Sequence, residues 1–85
     1  MVNWYIYIAE AKTGRFYTGI TNNPQKRIYK HNVGLGSKFA INQGPLRLVY
    51  VSKPFISKSE VRKREIQVKN WSRIKKIKLI NGIWF

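Results

Sequence analysis

The sequence predicts a small α+β domain: a three-stranded, mainly antiparallel sheet flanked by helices. Three observations predict it. Two runs rich in aromatic and β-branched residues, Asn3 to Ala9 and Phe16 to Thr21, are separated only by Glu10-Ala11-Lys12-Thr13-Gly14, a turn-like stretch ending in glycine. A third such run, Leu46 to Ser52, follows the turn dipeptide Gly44-Pro45. Helix-start signals stand at Asn22-Asn23-Pro24, at Ser57-Lys58-Ser59-Glu60 and at Ser72. The order is β-β-α-β-α-α, which is not the alternation of a doubly wound sheet.

Each element has its own local reason. The first two strands form a hairpin. Taking Tyr7 opposite Tyr17 puts Tyr5 opposite Gly19, and period-2 alternation then places Tyr5, Tyr7 and Tyr17 on one face. Trp4, Ile6, Ile8, Phe16 and Ile20 take the other face, which is expected to be the core face. Asn23 as N-cap with Pro24 at the first helical position starts a helix that runs to about Val33 and stops at Gly34. Gly34 to Ser37 reads as a loop, with a short helical turn possible at Ser37 to Ile41. Ser57 and Glu60 fit a capping box, so a helix follows to about Trp71. Ser72 caps a last helix to about Ile80, ended by Asn81-Gly82. Ile83-Trp84-Phe85 is an apolar tail expected to pack back on the body.

The chain has 85 residues, enough for one domain with one core, so residues 1–85 are read as a single domain. It has no cysteine, which excludes disulfides and thiolate zinc sites. With 17 Lys and Arg against 3 acids the formal charge is +14, and such self-repulsion points to a polyanionic partner. Nucleic acid is the first candidate and an anionic membrane the second. The charge is densest from Lys58 to Lys78, where the apolar positions are needed for the domain's own core. The longest apolar run, Trp4 to Ala9, is far below the roughly 20 residues of a membrane span. No secretory signal pattern is visible at the N-terminus. A cytoplasmic domain is expected.

Three clusters carry chemical possibilities. Tyr5, Tyr7 and Tyr17 share a strand face, although tyrosine favours strands anyway. Arg27 and His31 are one helical turn apart: Arg offers a planar fork for phosphate oxygens, and His can move a proton near neutral pH. With Lys26 and Lys30 close by, the same residues also read as a solvated basic face. Glu65 falls in one helical stripe with Val61 and Val68, so a carboxylate is placed among apolar positions. Burying it unpaired costs several kcal/mol, and either an ion pair with Arg27 or Arg62 or a metal ion must offset that. Glu60 is accounted for by capping and Glu10 as an exposed turn residue.

Tyr5-Ile6-Tyr7 followed ten residues later by Tyr17-Thr18-Gly19 resembles the paired motifs of the GIY-YIG nucleases. The segment Pro24 to Asn32 looks like the Arg-bearing helix of that family, and Ser59 to Lys69 like its Glu-bearing helix. The likeness runs from about Asn3 to Ile80 and is nearest to the small stand-alone bacterial (YhbQ-like) branch. Tyr5 replaces the first glycine of the first motif and Thr18 the middle isoleucine of the second; neither change removes a reacting group.

The resemblance implies a phosphodiesterase site at one face of the sheet. Tyr7, Tyr17, Arg27, His31 and Glu65 would be its catalytic residues, with Gly19 closing the second motif. Glu65 would be the sole carboxylate for Mg²⁺ or Mn²⁺, and Arg27 the phosphate clamp. Tyr7, Tyr17 or His31 would serve as general base. The expected activity is metal-dependent hydrolysis of DNA, structure-selective or non-specific, in repair or processing. The alternative is a basic DNA-binding module of the same fold without turnover. Substrate contact is expected from Lys26, Lys30, Lys38, Lys69, Arg73, Lys75, Lys76 and Lys78, which read charge and shape. A protein partner for targeting, and a monomer or weak homodimer, complete the expectation.

Overall fold

The computed structural model describes residues 3–33 and 45–83. Its elements are β1 (Tyr5–Glu10), β2 (Phe16–Thr21), α1 (Pro24–Asn32), β3 (Arg47–Val51), α2 (Lys58–Lys69) and α3 (Arg73–Ile80). The sheet order is β2-β1-β3, with both pairs antiparallel, so among the described residues β2 is an edge strand. This is the expected α+β architecture. Lys38, the loop and helical turn expected across 34–41, Gly44 of the turn dipeptide, and Trp84-Phe85 of the tail lie outside the described residues.

The hairpin closes differently from the expectation. β1 continues through Glu10, which pairs with Phe16, and the turn is tightened by Ala11 N–H donating to the Arg15 carbonyl at 2.8 Å. Gly14 adopts φ +89°, a conformation that favours glycine, and donates to the Ala11 carbonyl. The register therefore sits two residues away from the expected one: Tyr7 lies opposite Gly19, Ala9 opposite Tyr17 and Tyr5 opposite Thr21. A two-residue shift keeps every side chain on its expected face. Glu10 is a strand residue rather than an exposed turn residue. It accepts from Arg47 Nη2 at 2.7 Å across to β3.

Both faces of the sheet are covered, which extends the single core face expected from alternation. On one side Ile8 packs with Val68 of α2 and Leu79 of α3, with Phe16, Val49 and Tyr50 against them. On the other, Tyr7, Ala9, Ala11 and Leu46 form a second cluster with Tyr17, Leu48 and Ile28 of α1. A register irregularity between Ile8 and Ala9 lets the consecutive residues Val49 and Tyr50 join the same cluster. After β3 the chain keeps following β1. Ser52 exchanges bonds with Ile6, using its own N–H and its Oγ, and Trp4 exchanges two backbone bonds with Phe55. This return path delivers Ser57, the N-cap of α2, whose Oγ accepts from Glu60 N–H at 3.3 Å.

Two side chains lock these parts together. Asn32, at the end of α1, accepts from Leu46 N–H at 2.7 Å and donates to the Leu46 carbonyl at 3.0 Å. Arg73, at the start of α3, donates to the Gly14 carbonyl at 2.8 Å and lies over the Phe16 ring. Asn32→Ala leaves the backbone groups of buried Leu46 without these partners. The expected cost is about 1–3 kcal/mol, read from urea unfolding. Gly19 is crossed by the Tyr7 ring, so a Cβ there would lie 2.6 Å from the Tyr7 hydroxyl oxygen and 2.8 Å from two ring carbons. Gly19→Ala is expected to cost about 1–3 kcal/mol in the same measurement, because the buried ring must shift.

Candidate active site

The close approach of Tyr7 to Gly19 opens the site. Among the described residues no strand pairs with β2 on its outer side, and Gly19 has no side chain, so the Tyr7 phenol reaches from the central strand towards that edge. An open cleft of about 380 Å³ lies there, with Tyr7, Gly19, Arg27 and Glu65 in its wall. Arg27 comes from α1, which covers the Tyr7 face. Thr21 Oγ1 accepts from Asn23 N–H at 3.1 Å, and Asn23 Oδ1 accepts from Lys26 N–H at 3.1 Å. These bonds fix where α1 leaves the end of β2, and Arg27 follows within its first turn. Glu65 comes from α2, which covers the opposite face. Val61, Glu65 and Val68 are all buried, so the apolar stripe read from the sequence is real and carries the carboxylate to the edge of β2. The cleft thus joins side chains from both faces around one unpaired strand edge.

Glu65 is 7% exposed. Its ion-pair partner is neither Arg27 nor Arg62, as the sequence suggested, but Lys69, one turn later on α2, at 3.5 Å. The ladder spacing i to i+4 makes this pair local and leaves the arginines available to other anions. Among the described residues no cluster of three His, Asp or Glu side chains exists. A lone buried carboxylate facing an open, wet cleft fits a hard cation that keeps most of its water, as Mg²⁺ does. Glu65 is the residue that would hold it.

His31 lies one turn beyond Arg27 on α1. Burial, and then the Arg27 charge, lower its pKa from the ordinary 6.5, so it is neutral at pH 7. Its Nδ1 is buried and has no hydrogen-bond partner among the described residues. Tyr17 sits on the same face as Tyr7, packed into the α1-side cluster, with its hydroxyl oxygen buried. It borders a neighbouring cleft with Arg15, Arg73 and Lys76. Tyr7, Arg27 and Glu65 therefore meet in one cleft, while Tyr17 and His31 flank it on the α1 side.

The expected substrate contacts divide in the same way. Lys69 lines the central cleft, Lys26 a cleft with Tyr5 and Asn23, and Lys76 the cleft beside Tyr17. Lys30 and Lys78 are exposed on α1 and α3. Arg73 is also committed to Gly14 and Phe16, and Lys75 lies 4.5 Å from the Trp71 ring centroid. Sequence reasoning missed Lys58, and it cast Arg62 only as an ion-pair partner; both line the central cleft. The signal was present: positions 58, 62, 65 and 69 follow helical spacing, so these two cations share a face with Glu65. Lys58 is held 5.0 Å from the Trp4 ring centroid.

Comparison with known proteins bears on the fold and the family. The family described as the GIY-YIG catalytic domain matches residues 3–78. A UPF0213 protein of Staphylococcus saprophyticus is 48% identical over 77 residues, covering 91% of this chain and 93% of that protein. A UPF0213 protein of Staphylococcus haemolyticus is 42% identical over 80 residues, covering 94% and 96%. The solution NMR structure of the UPF0213 protein BH0048 from Bacillus halodurans superposes with a TM-score of 0.58 at 44% identity, covering 93% of this chain and 83% of that one. The family match spans nearly the whole chain, the relatives match it at 42–48% identity and the solved neighbour has the same fold, so the chain belongs to the GIY-YIG nuclease superfamily, in the branch of the bacterial UPF0213 proteins.

Proposed function

We propose that this protein hydrolyses DNA phosphodiester bonds with the help of one Mg²⁺ or Mn²⁺ ion. The observation that carries the proposal is the meeting of Tyr7, Arg27 and Glu65 in one cleft at the open edge of β2. Glu65 would hold the metal, which when bound supplies Lewis-acid stabilisation of charge on the phosphate and the leaving oxygen. Arg27 is exposed, always charged and aimed at the same cleft, so its fork can grip a non-bridging oxygen as negative charge builds. Tyr7 lines the cleft with its hydroxyl oxygen over Gly19, and that hydroxyl can orient the attacking water. His31, neutral at pH 7, is suited to accept a proton from the α1 side, and Tyr17, on the same sheet face as Tyr7, is a second phenol. The basic side chains along α1, α2 and α3 gather the DNA by charge and shape, without reading bases.

The activity belongs to one domain over residues 1–85, structure-selective or non-specific in its cutting. The protein then acts in the cytoplasm, in DNA repair or processing, as a monomer or weak homodimer targeted by a protein partner. Among the described residues no helix is long and apolar enough to cross a membrane.

The test uses plasmid, branched and single-stranded DNA with Mg²⁺ or Mn²⁺. The wild type is expected to cut. Arg27→Ala and Glu65→Ala are expected to lose about 10²–10³ in rate while keeping the fold by circular dichroism. Cutting that survives Glu65→Ala would overturn the metal assignment. Binding by all three proteins with cutting by none would make the chain a DNA-binding module.

A second expectation concerns pH. Because the folded protein lowers the pKa of His31, the unfolded chain takes up the proton first. Stability is then at its full value above pH 6.5 and falls as the pH drops through and below that value. The urea midpoint of the wild type should decrease from pH 7.5 to pH 5.5 by more than that of His31→Gln, which has no proton to take up.

A further inference from the structure

We propose that the free protein does not load its metal ion in advance, and that the metal enters together with the substrate's phosphate. The inference rests on the nuclease reading and concerns the order in which the site is assembled. The central cleft sets four basic side chains, Arg27, Lys58, Arg62 and Lys69, around one carboxylate. That carboxylate is already neutralised, because Lys69 holds Glu65 at 3.5 Å. A divalent cation entering alone meets net positive charge from the walls of the cleft, and repulsion between like charges disfavours its entry.

No other acid is at hand to offset this. The chain has three acidic side chains. Glu10 is paired with Arg47 at the far end of β1, and Glu60 lies exposed in the first turn of α2. A phosphodiester changes the balance. Each phosphodiester carries one negative charge, so successive phosphates of the backbone lower the positive charge of Arg27, Lys58 and Arg62, offer Lys69 an anion other than Glu65, and add phosphate oxygens that can serve as hard ligands beside the released carboxylate. Metal and DNA then strengthen each other's binding. By linkage the factor is the same whichever is added first.

Lys69 is the pivot of this exchange: counter-ion to Glu65 in the free protein, and a phosphate contact in the assembled complex. Direct measurement of Mn²⁺ binding tests the proposal, using the paramagnetic resonance signal of free Mn²⁺. The full chain is titrated alone and with a phosphorothioate-linked DNA duplex, with the duplex's own binding subtracted. DNA is expected to tighten Mn²⁺ binding about tenfold or more, within the usual range for coupled sites. Lys69→Met should tighten Mn²⁺ binding to the DNA-free protein by a similar factor. Lys53→Met, an exposed position outside the cleft, should leave it unchanged, and Glu65→Gln should abolish it. Equal Mn²⁺ affinity with and without DNA would overturn the proposal, as would a Lys69→Met protein that binds Mn²⁺ no better than wild type. Cleavage by the wild type without such coupling would overturn ordered loading and leave the nuclease reading standing. Coupling in a protein that cuts nothing would support ordered loading and count against turnover.

Discussion

The contact on which the site depends is the one between the Tyr7 ring and the bare backbone of Gly19. It lets a side chain of the central strand reach past its neighbour to the open edge of the sheet. With any Cβ at position 19 the phenol would be turned away, and the cleft would lose its inner wall. The same contact ties register to chemistry. Tyr7 must face residue 19 and no other, and the closure of the turn from Ala11 to Arg15 enforces that pairing. Arg73 reinforces it from outside, since its bond to the Gly14 carbonyl holds the turn against α3.

Charge is the second organising constraint. In a chain with three acids, each has a distinct environment. Glu10 clamps β1 to β3 through Arg47. Glu60 sits in the first turn of α2, where a negative charge favours the helix dipole. Glu65 is buried beside the cleft with a single local partner. The bases divide less evenly. Some, such as Arg73, are structural, while Arg27, Lys58 and Arg62 face the cleft.

Much of this was legible in the sequence, because local chemistry wrote it. Asn23, Ser57 and Ser72 are the N-caps, and each oxygen accepts the backbone N–H three residues on. The buried stripe holding Glu65 followed from helical spacing alone. What was not legible has physical causes. A slip of two residues in the hairpin leaves every face unchanged, so alternation cannot detect it; only the turn geometry does. Burial of Glu65 points to a partner brought near by the fold, such as Arg27 or Arg62, whereas its ion-pair partner is Lys69, one turn away on the same helix. Burial of the tyrosine face depended on α1 folding back over it. The Asn32 to Leu46 bonds that finish the packing join residues 14 apart in sequence and carry no periodic signal.

The open edge of β2 also bears on how the molecule behaves in company. An unpaired strand edge presents free backbone groups to any other chain, and edge-to-edge pairing is a common route to aggregation. Here that edge is flanked by Lys58, Arg62 and Lys69 on one side and by Arg15 and Lys76 further along. Two copies meeting edge to edge would press these cations together. The charges that ready the cleft for a polyanion thus also act as a guard against self-association, and neutralising them with a bound polyanion that leaves the edge bare would lower the guard.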